Sequence, residues 1–185
     1  AEKSDGLVTI GLRPTWACPS YGYIERGNAA SIPGLECAHP PCEVKRFREK
    51  PSAELAEQFL AQGGFSWNAG MFVWSLPAVI AQFDRHTPEL GGFVRSIQTS
   101  PDVLATIAGS FASLTPVSID YAIMEKADRV LNIEATFDWD DVGSWTALPD
   151  HLGRDEAGNT VRGGVIEQGS RNNIALSNGR LIALC

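Results

Sequence analysis

The chain has 185 residues, of which 44% are hydrophobic and 20% are charged, and its formal net charge is −7. This length permits either one sizeable domain or a domain with a short appendage, and the composition is typical of a globular chain rather than a disordered one. The acidic balance disfavours DNA or RNA as a partner, because proteins that bind them present a basic surface. No apolar run approaches the roughly 20 residues that span a bilayer, so we also expect no membrane partner.

Predicted strands and helices follow one another along residues 1–151. The predicted strands are apolar or alternating runs at residues 7–12, 44–50, 71–74 and 130–133, with a further extended piece that begins at Tyr23. The predicted helices begin at prolines or capping residues and cover the segments between Ser52 and Gly63, 77–83, 88–97, 101–108, 119–126 and 144–148, with Ser118 as the N-cap of the fifth. This pattern predicts an α/β fold.

The last 34 residues differ from the rest. The polar stretch 152–158 contains two glycines and predicts a boundary, so that residues 1–151 form one domain and residues 152–185 begin a C-terminal β region. Asn178 and Gly179 stand between two apolar runs, which predicts a β-hairpin. A β region of this kind also suggests a homo-oligomer that associates through this end of the chain.

The four cysteines are Cys18, Cys37, Cys42 and Cys185. Cys37 and Cys42 flank His39, but their spacing does not match a zinc knuckle and no second ligand pair follows. We therefore predict free thiols, as expected in a reducing cytosol, and a cytoplasmic protein.

An acidic cluster lies between two tryptophans late in the chain. Asp138, Asp140 and Asp141 occupy three of four positions, and Trp139 and Trp145 accompany them. Three neighbouring carboxylates repel one another unless a cation or solvent neutralises them. One interpretation is a hard divalent metal ion that handles phosphate; the other is a solvated turn with one buried tryptophan.

Three further places carry candidate binding groups. Arg46, Arg48 and Lys50 alternate along a predicted strand and therefore share one face, which is either a solvated surface or, at Lys50, a phosphate ligand at the strand end. Asn68 precedes a predicted strand and offers one acceptor and two donors to a sugar hydroxyl, or serves an ordinary turn. Asp120 lies in the first turn of a predicted helix, where a carboxylate also suits the helix dipole.

Taken in chain order, these segments resemble the sugar-1-phosphate nucleotidylyltransferases, and most closely the mannose-1-phosphate guanylyltransferases. The matching segments are LVTIGL at 7–12 with YGYIE at 21–25, FREKP at 47–51, WNAGMF at 67–72, and SIDYAIMEK at 118–126 together with WDDVGSW at 139–145. The resemblance implies a mixed-sheet α/β/α sandwich of the nucleotide-diphospho-sugar transferase type, present here in part and followed by a short C-terminal β segment.

The resemblance also implies an activity and a set of site residues. The family transfers a guanylyl group from GTP to mannose-1-phosphate, giving GDP-mannose and pyrophosphate with the help of Mg²⁺. The resemblance implies that the residues in contact with the sugar are Tyr21, Gly22, Glu49, Asn68 and Asp120. It implies two catalytic residues, Lys50 and Asp141. Lys50 neutralises the sugar phosphate, and Asp141 is also a ligand of the metal ion. We expect Lys50 and Asp141 to serve a single pocket.

The chain departs from the family pattern at the nucleotide. The family opens with a glycine-rich loop that carries Arg and a further basic residue, and the double glycines at 63–64, 91–92 and 163–164 do not follow an N-terminal apolar strand with such a basic pair. The first metal aspartate of the family is not found either. We therefore expect a sugar-phosphate-binding part of the enzyme that is inactive alone. The alternatives are an enzyme for another hexose-1-phosphate, or a complete, non-catalytic sugar-phosphate-binding or assembly module.

Overall fold

A computed structural model of the chain describes residue 1 and residues 3–185. Within it the chain divides into two units, Ala1–Trp139 and Asp140–Cys185. This division falls between residues 139 and 140, whereas the sequence predicts a boundary between residues 151 and 152. The residues from 140 to 151 therefore belong with the C-terminal strands in the structure.

The first unit is built on a mixed sheet with the strand order β1-β4-β2-β3-β5. Its strands are β1 (Leu7–Leu12), β2 (Tyr23–Ala29), β3 (Cys42–Arg48), β4 (Phe65–Val73) and β5 (Val130–Glu134). β1 runs parallel to β5 and antiparallel to β4, and the other neighbours are antiparallel. β3 also forms two residue pairs with β5, which connects the two ends of this order. The predicted α/β class with a mixed sheet is confirmed.

Four α-helices of the first unit begin at capping residues or prolines. They are α1 (Ala53–Gln62), α2 (Leu76–His86), α3 (Pro88–Thr99) and α4 (Val103–Ser110), and a short 3₁₀ helix, Phe111–Ser113, follows α4. The hydroxyl of Ser52 accepts a hydrogen bond from the backbone N–H of Leu55, as the sequence predicts for the start of α1. In the part of the chain that the structure describes, every helix is too short or too polar to cross a bilayer.

The predicted helix 119–126 is instead a single π-helical turn, Asp120–Met124. The backbone N–H of Glu125 donates to the carbonyl oxygen of Asp120 at 2.9 Å, a bond that spans five residues rather than four. The residue at the N-cap is Ile119, so the prediction that Ser118 caps this helix was wrong. Ser118 contributes its carbonyl oxygen, which accepts from the N–H of Ala122 at 2.9 Å.

Apolar side chains pack against two faces of the sheet. One cluster joins Leu7, Ile24 and Phe47 to Val79 of α2 and to the buried side of the π turn. The other joins Tyr23, Phe65 and Trp67 to Ala56 and Phe59 of α1. Tyr23 and Ile24 are neighbours in β2 and belong to different clusters, because successive side chains of a strand point to opposite faces. Helices on both faces are the arrangement of an α/β/α sandwich.

The second unit contains short helices and parallel strand pairs. Its elements are a 3₁₀ helix at Trp145–Ala147, α5 (Leu148–Leu152), β6 (Thr160–Arg162), β7 (Val165–Glu167), β8 (Ile174–Leu176) and β9 (Ile182–Leu184). β6 pairs with β8 and β7 pairs with β9, in both cases parallel. The predicted hairpin at Asn178-Gly179 was therefore wrong, because the strands on either side of it belong to different pairs. The predicted C-terminal β region itself is confirmed.

The cysteines are free thiols, of which Cys18 is buried and Cys37 is exposed. The Sγ of Cys37 donates to the carbonyl oxygen of His39 at 3.3 Å. Residue 1 and residues 3–185 contain no group of three His, Cys, Asp or Glu side chains that could together hold a metal ion.

Candidate functional site

Lys50 leaves its strand in an unusual backbone conformation. β3 ends at Arg48. The backbone of Lys50 has a φ of +43°, in the left-handed region that residues other than glycine rarely adopt. Lys50 therefore does not continue the alternation of β3, and the predicted shared face of three cations was wrong. Arg46 instead forms a surface ion pair with Glu25 and lies over the ring of Phe59.

Glu49 stands beside this strained residue and is held at both its backbone and its side chain. Its backbone N–H donates to Oε1 of Glu125 at 2.9 Å, and the Nζ of Lys50 donates to its Oε1 at 2.8 Å. The side chain of Glu49 is 9% exposed whereas that of Lys50 is 61% exposed. The carboxylate is thus fixed in a mostly buried place, and the ammonium group reaches from solvent to meet it.

Gly22 makes room for this carboxylate. A Cβ atom at residue 22 would lie 2.5 Å from Oε2 of Glu49 and 3.1 Å from the Cβ of Asn68. Real Cβ atoms do not approach an oxygen so closely, so a side chain at residue 22 would displace the carboxylate of Glu49 from this position. The carbonyl oxygen of Gly22 also accepts from the backbone N–H of Asn68 at 2.7 Å.

Asn68 lies within β4, not before a strand as the sequence predicts, and it links three elements. Its Oδ1 accepts from the hydroxyl of Thr9 and from the backbone N–H of Gly70, each at 3.1 Å. Its Nδ2 donates to Oδ1 of Asp120 at 3.3 Å. These bonds fix the orientation of the amide, because Oδ1 faces two donors and Nδ2 faces a carboxylate.

Electrostatics connect Asp120 to Lys50. The hydrogen bond and the charge of Glu49 raise the pKa of Lys50 above its ordinary value of 10.5, and the nearby Tyr121 and Asp120 add to this shift. Lys50 is therefore a full cation at neutral pH. We call this group, Gly22, Glu49, Lys50, Asn68 and Asp120, the Lys50 site.

Tyr21 precedes the Lys50 site and belongs to an aromatic cluster. Its ring centroid lies 5.2 Å from that of Trp67, 5.6 Å from that of Trp139 and 6.4 Å from that of Trp16, each in an edge-to-face arrangement. Such pairs are favourable geometries for aromatic rings. Trp67 and Trp139 also line an open pocket of about 400 Å³ in the first unit, together with Arg13.

Asp141 belongs to the second unit and is exposed. Its carbonyl oxygen accepts from the backbone N–H of Gly143 at 2.6 Å. The neighbouring Asp140 is engaged by Nε2 of His151 at 2.7 Å. The described residues do not supply three metal ligands in one place, and Mg²⁺ and the role of Asp141 stay predictions.

The structure thus brings five of the predicted residues together at the Lys50 site, with Tyr21 next to Gly22 in the chain. Their roles toward a substrate stay predictions. The sequence analysis missed Thr9 and Glu125 as supporting residues. A sequence signal existed for Thr9, because it is a polar residue within the apolar run LVTIGL. The structure shows that its side chain is fully buried. Glu125 had none, because its partner is a backbone group 76 positions away.

Comparison with known proteins places these features in a family. Residues 1–157 match the family model described as "Nucleotidyl transferase". The chain is 33% identical over its whole length to a mannose-1-phosphate guanylyltransferase of Sinorhizobium fredii, of which it covers 35%. It is 34% identical, over 96% of its length, to a protein of the same name from Klebsiella pneumoniae, of which it covers 38%.

A solved structure gives the same result. The crystal structure titled as a mannose-1-phosphate geranyltransferase of Thermus thermophilus superposes on the chain with a TM-score of 0.75 and 31% sequence identity. The match covers 98% of this chain and 51% of that one. The chain therefore spans between about a third and half of the length of these relatives.

Proposed function

Because the chain belongs to the nucleotidyl transferase family, we propose that it provides the sugar-phosphate side of a guanylyl transfer from GTP to mannose-1-phosphate. In this reaction an oxygen of the sugar phosphate attacks the α-phosphorus of GTP. A new phosphorus–oxygen bond forms as the bond to pyrophosphate breaks, and GDP-mannose results. Two relatives named mannose-1-phosphate guanylyltransferase, at 33% and 34% identity, support this choice of substrate.

The observation that carries the proposal is the meeting of one exposed ammonium group with a buried carboxylate and an oriented amide. Glu49, Asn68 and Asp120 present acceptors and donors to sugar hydroxyls, and the ammonium group of Lys50, whose side chain is 61% exposed, is available to a phosphate group. The aromatic cluster around Tyr21 offers apolar surface to the face of the sugar ring.

The work of these groups is positioning and charge neutralisation. Phosphoryl transfer needs little covalent participation by the protein, so alignment of the reacting phosphates and stabilisation of their charge carry the rate. Lys50 pairs with Glu49 in the free site, and a bound phosphate dianion would compete for its ammonium protons. Glu49 is then released to accept from a hydroxyl of the sugar.

For the metal ion the proposal extends to one residue only. Asp141 is proposed as a carboxylate ligand of Mg²⁺, an ion that prefers oxygen ligands. The described residues contain no three-ligand group, but Mg²⁺ needs none, since it is usually held by one or two carboxylates together with waters and substrate phosphates. We assign no step to the ion. The homo-oligomer through the C-terminal β region and the cytoplasmic location likewise stay predictions.

The test is a titration of the 185-residue chain with mannose-1-phosphate, glucose-1-phosphate and mannose by isothermal calorimetry. We expect mannose-1-phosphate to bind most tightly. Lys50→Ala removes a charge-assisted hydrogen bond worth about 1.5–3 kcal/mol, so its affinity for mannose-1-phosphate should fall about tenfold or more. Affinity for mannose, which has no phosphate, should change little.

Lys45→Ala is the matched control. Lys45 lies exposed on β3 and its removal changes the net charge by the same amount. It should leave the affinity for mannose-1-phosphate unchanged. Equal affinity of the wild-type chain and Lys50→Ala for the sugar phosphate would remove Lys50 from the site, and a preference for glucose-1-phosphate would move the proposal to another hexose.

A further inference from the structure

Glu125 and the π turn before it connect the Lys50 site to the rest of the first unit. Oε1 of Glu125 accepts from the backbone N–H of Glu49 at 2.9 Å. The turn itself is anchored in the core, since Ala122, Ile123 and Met124 are 2% exposed or less. The segment Glu49-Lys50 is therefore tied, through one carboxylate, to a rigid part of the fold.

The π-helical bond determines which side chains reach the site. In an α-helix, side chains five positions apart point about 140° away from each other. A turn closed over five residues brings the side chains at positions 120 and 125 closer to the same side than an α-helix would. Asp120 can thus accept from Asn68 while Glu125 accepts from Glu49, and one short element contacts two sides of the Lys50 site.

The backbone of Lys50 needs such support. A residue other than glycine with φ near +43° is strained and persists only where its surroundings hold it. The bond from the N–H of Glu49 to Glu125 fixes the peptide group directly before this residue.

From these contacts we propose that Glu125 is a positioning residue for the sugar-phosphate site. It holds the Glu49-Lys50 backbone so that the Lys50 ammonium and the Glu49 carboxylate face a common ligand. Glu125 acts as a hydrogen-bond acceptor through the backbone and does not contact the sugar phosphate. This inference rests on the proposed function, because it assigns Glu125 a part in binding mannose-1-phosphate.

The experiment compares the wild-type chain with Glu125→Ala, Glu125→Gln, Lys50→Ala and the double variant of Glu125→Ala with Lys50→Ala. Calorimetry gives the affinity for mannose-1-phosphate, and NMR-detected hydrogen exchange gives the protection of the Glu49 amide. Glu125→Ala should weaken binding about tenfold and speed exchange at Glu49, because the acceptor is lost. Glu125→Gln keeps an acceptor oxygen and should stay within about threefold of the wild type.

The double variant separates positioning from general loss of structure. Because Glu125 positions Lys50 as well as Glu49, Glu125→Ala should weaken binding by a clearly smaller factor in the Lys50→Ala background than in the wild type, whereas a general loss of structure would give the same factor in both. Glu89→Ala is the matched control, because Oε1 of Glu89 accepts from the backbone N–H of Thr115 in another part of the same unit. It removes the same kind of bond and should leave affinity unchanged.

The outcomes distinguish the inference from the function on which it rests. Binding that Lys50→Ala weakens and Glu125→Ala does not would overturn the positioning role and leave the proposed function standing. Failure of Glu125→Gln to bind would also overturn it, and this variant decides the matter if Glu125→Ala does not fold. A wild-type chain that does not bind mannose-1-phosphate would overturn both.

Discussion

Gly22 lies at a position of the Lys50 site that has no free space for a larger side chain. A methyl group there would meet Oε2 of Glu49 at 2.5 Å and the Cβ of Asn68 at 3.1 Å. The carboxylate is the far end of a flexible side chain and can move, whereas Asn68 is held by the bonds of β4. The steric conflict therefore falls on the position of Glu49 more than on the fold.

We predict that Gly22→Ala weakens binding of mannose-1-phosphate about tenfold, because the displaced Glu49 loses a charged hydrogen bond to the ligand. The free energy of unfolding should fall by less than about 2 kcal/mol, since only a side chain must move. Calorimetry measures the first quantity and urea denaturation the second.

Gly92→Ala provides the comparison for this prediction. Gly92 lies in α3, and an added Cβ there meets nothing within 4 Å. Alanine also favours a helix over glycine by up to about 1 kcal/mol. This variant should bind as the wild type does and be equally or more stable. Wild-type affinity in Gly22→Ala would mean that Glu49 does not contact the ligand.

Among the elements, those set by local sequence were predictable and those set by distant pairing were not. The strand Leu7–Leu12 and the capped helix after Ser52 follow from nearby residues alone. β4 begins at Phe65, whereas the sequence predicts a start at residue 71. The prediction missed the first half of the strand because that half contains the polar residues Ser66 and Asn68, which are buried in the structure. For Asn68, partners on β1 and in the π turn compensate its burial, and a sequence window does not show them.

Pairing and hydrogen bonding that the local sequence does not show also explain why two local patterns gave wrong predictions. Asn178-Gly179 favours a tight hairpin, yet β8 and β9 obtain their backbone hydrogen bonds from β6 and β7 in parallel pairs. The segment from Ile119 to Lys126 has helical spacing, and hydrogen bonding across five residues instead of four is not visible in such spacing. The Lys50 site was predictable as a set of residues through resemblance, whereas its supports Thr9 and Glu125 are tertiary contacts.

The surroundings of Glu167 in β7 disfavour the ionised form of its carboxyl group. Burial, and then a hydrogen bond and the charge of Asp155, raise the pKa of Glu167 above its ordinary value of 4.5. Its Oε1 is buried and has no partner among the described atoms. A raised pKa in the folded state means that protonated Glu167 stabilises the fold below pH 4.5. This contribution is lost as the pH rises through the folded-state pKa.

We therefore predict that Glu167→Gln slows amide hydrogen exchange in β7 and β9 at pH 7, relative to the wild type, and changes it little at pH 4. Glutamine is neutral at both pH values and can donate to Asp155. Glu156→Gln is the control for the change of charge, because Glu156 is exposed and follows Asp155 in the chain. Faster exchange in Glu167→Gln at pH 7 would show that the ionised carboxylate is the favourable form.

At the scale of the whole chain, a nucleotide requires a local basic site, because an acidic net charge does not by itself exclude a small phosphorylated ligand. The net charge is −7, and GTP is a polyanion that enzymes bind with basic side chains and glycine-rich backbone. Lys50 supplies one ammonium group to the sugar-phosphate side. By the family resemblance a glycine-rich loop with a basic pair binds the nucleotide, and we expect no such loop within these 185 residues.

We therefore predict that the 185-residue chain binds mannose-1-phosphate and does not convert it to GDP-mannose when GTP and Mg²⁺ are supplied. Chromatographic detection of GDP-mannose and of pyrophosphate release measures the transfer, and a parallel calorimetric titration with mannose-1-phosphate shows that the preparation is folded and competent to bind. Binding without transfer fits a chain that spans 35% to 38% of its guanylyltransferase relatives. Formation of GDP-mannose by this chain would require a nucleotide site within these residues, and the search for it would begin at the pocket lined by Arg13 and Trp139.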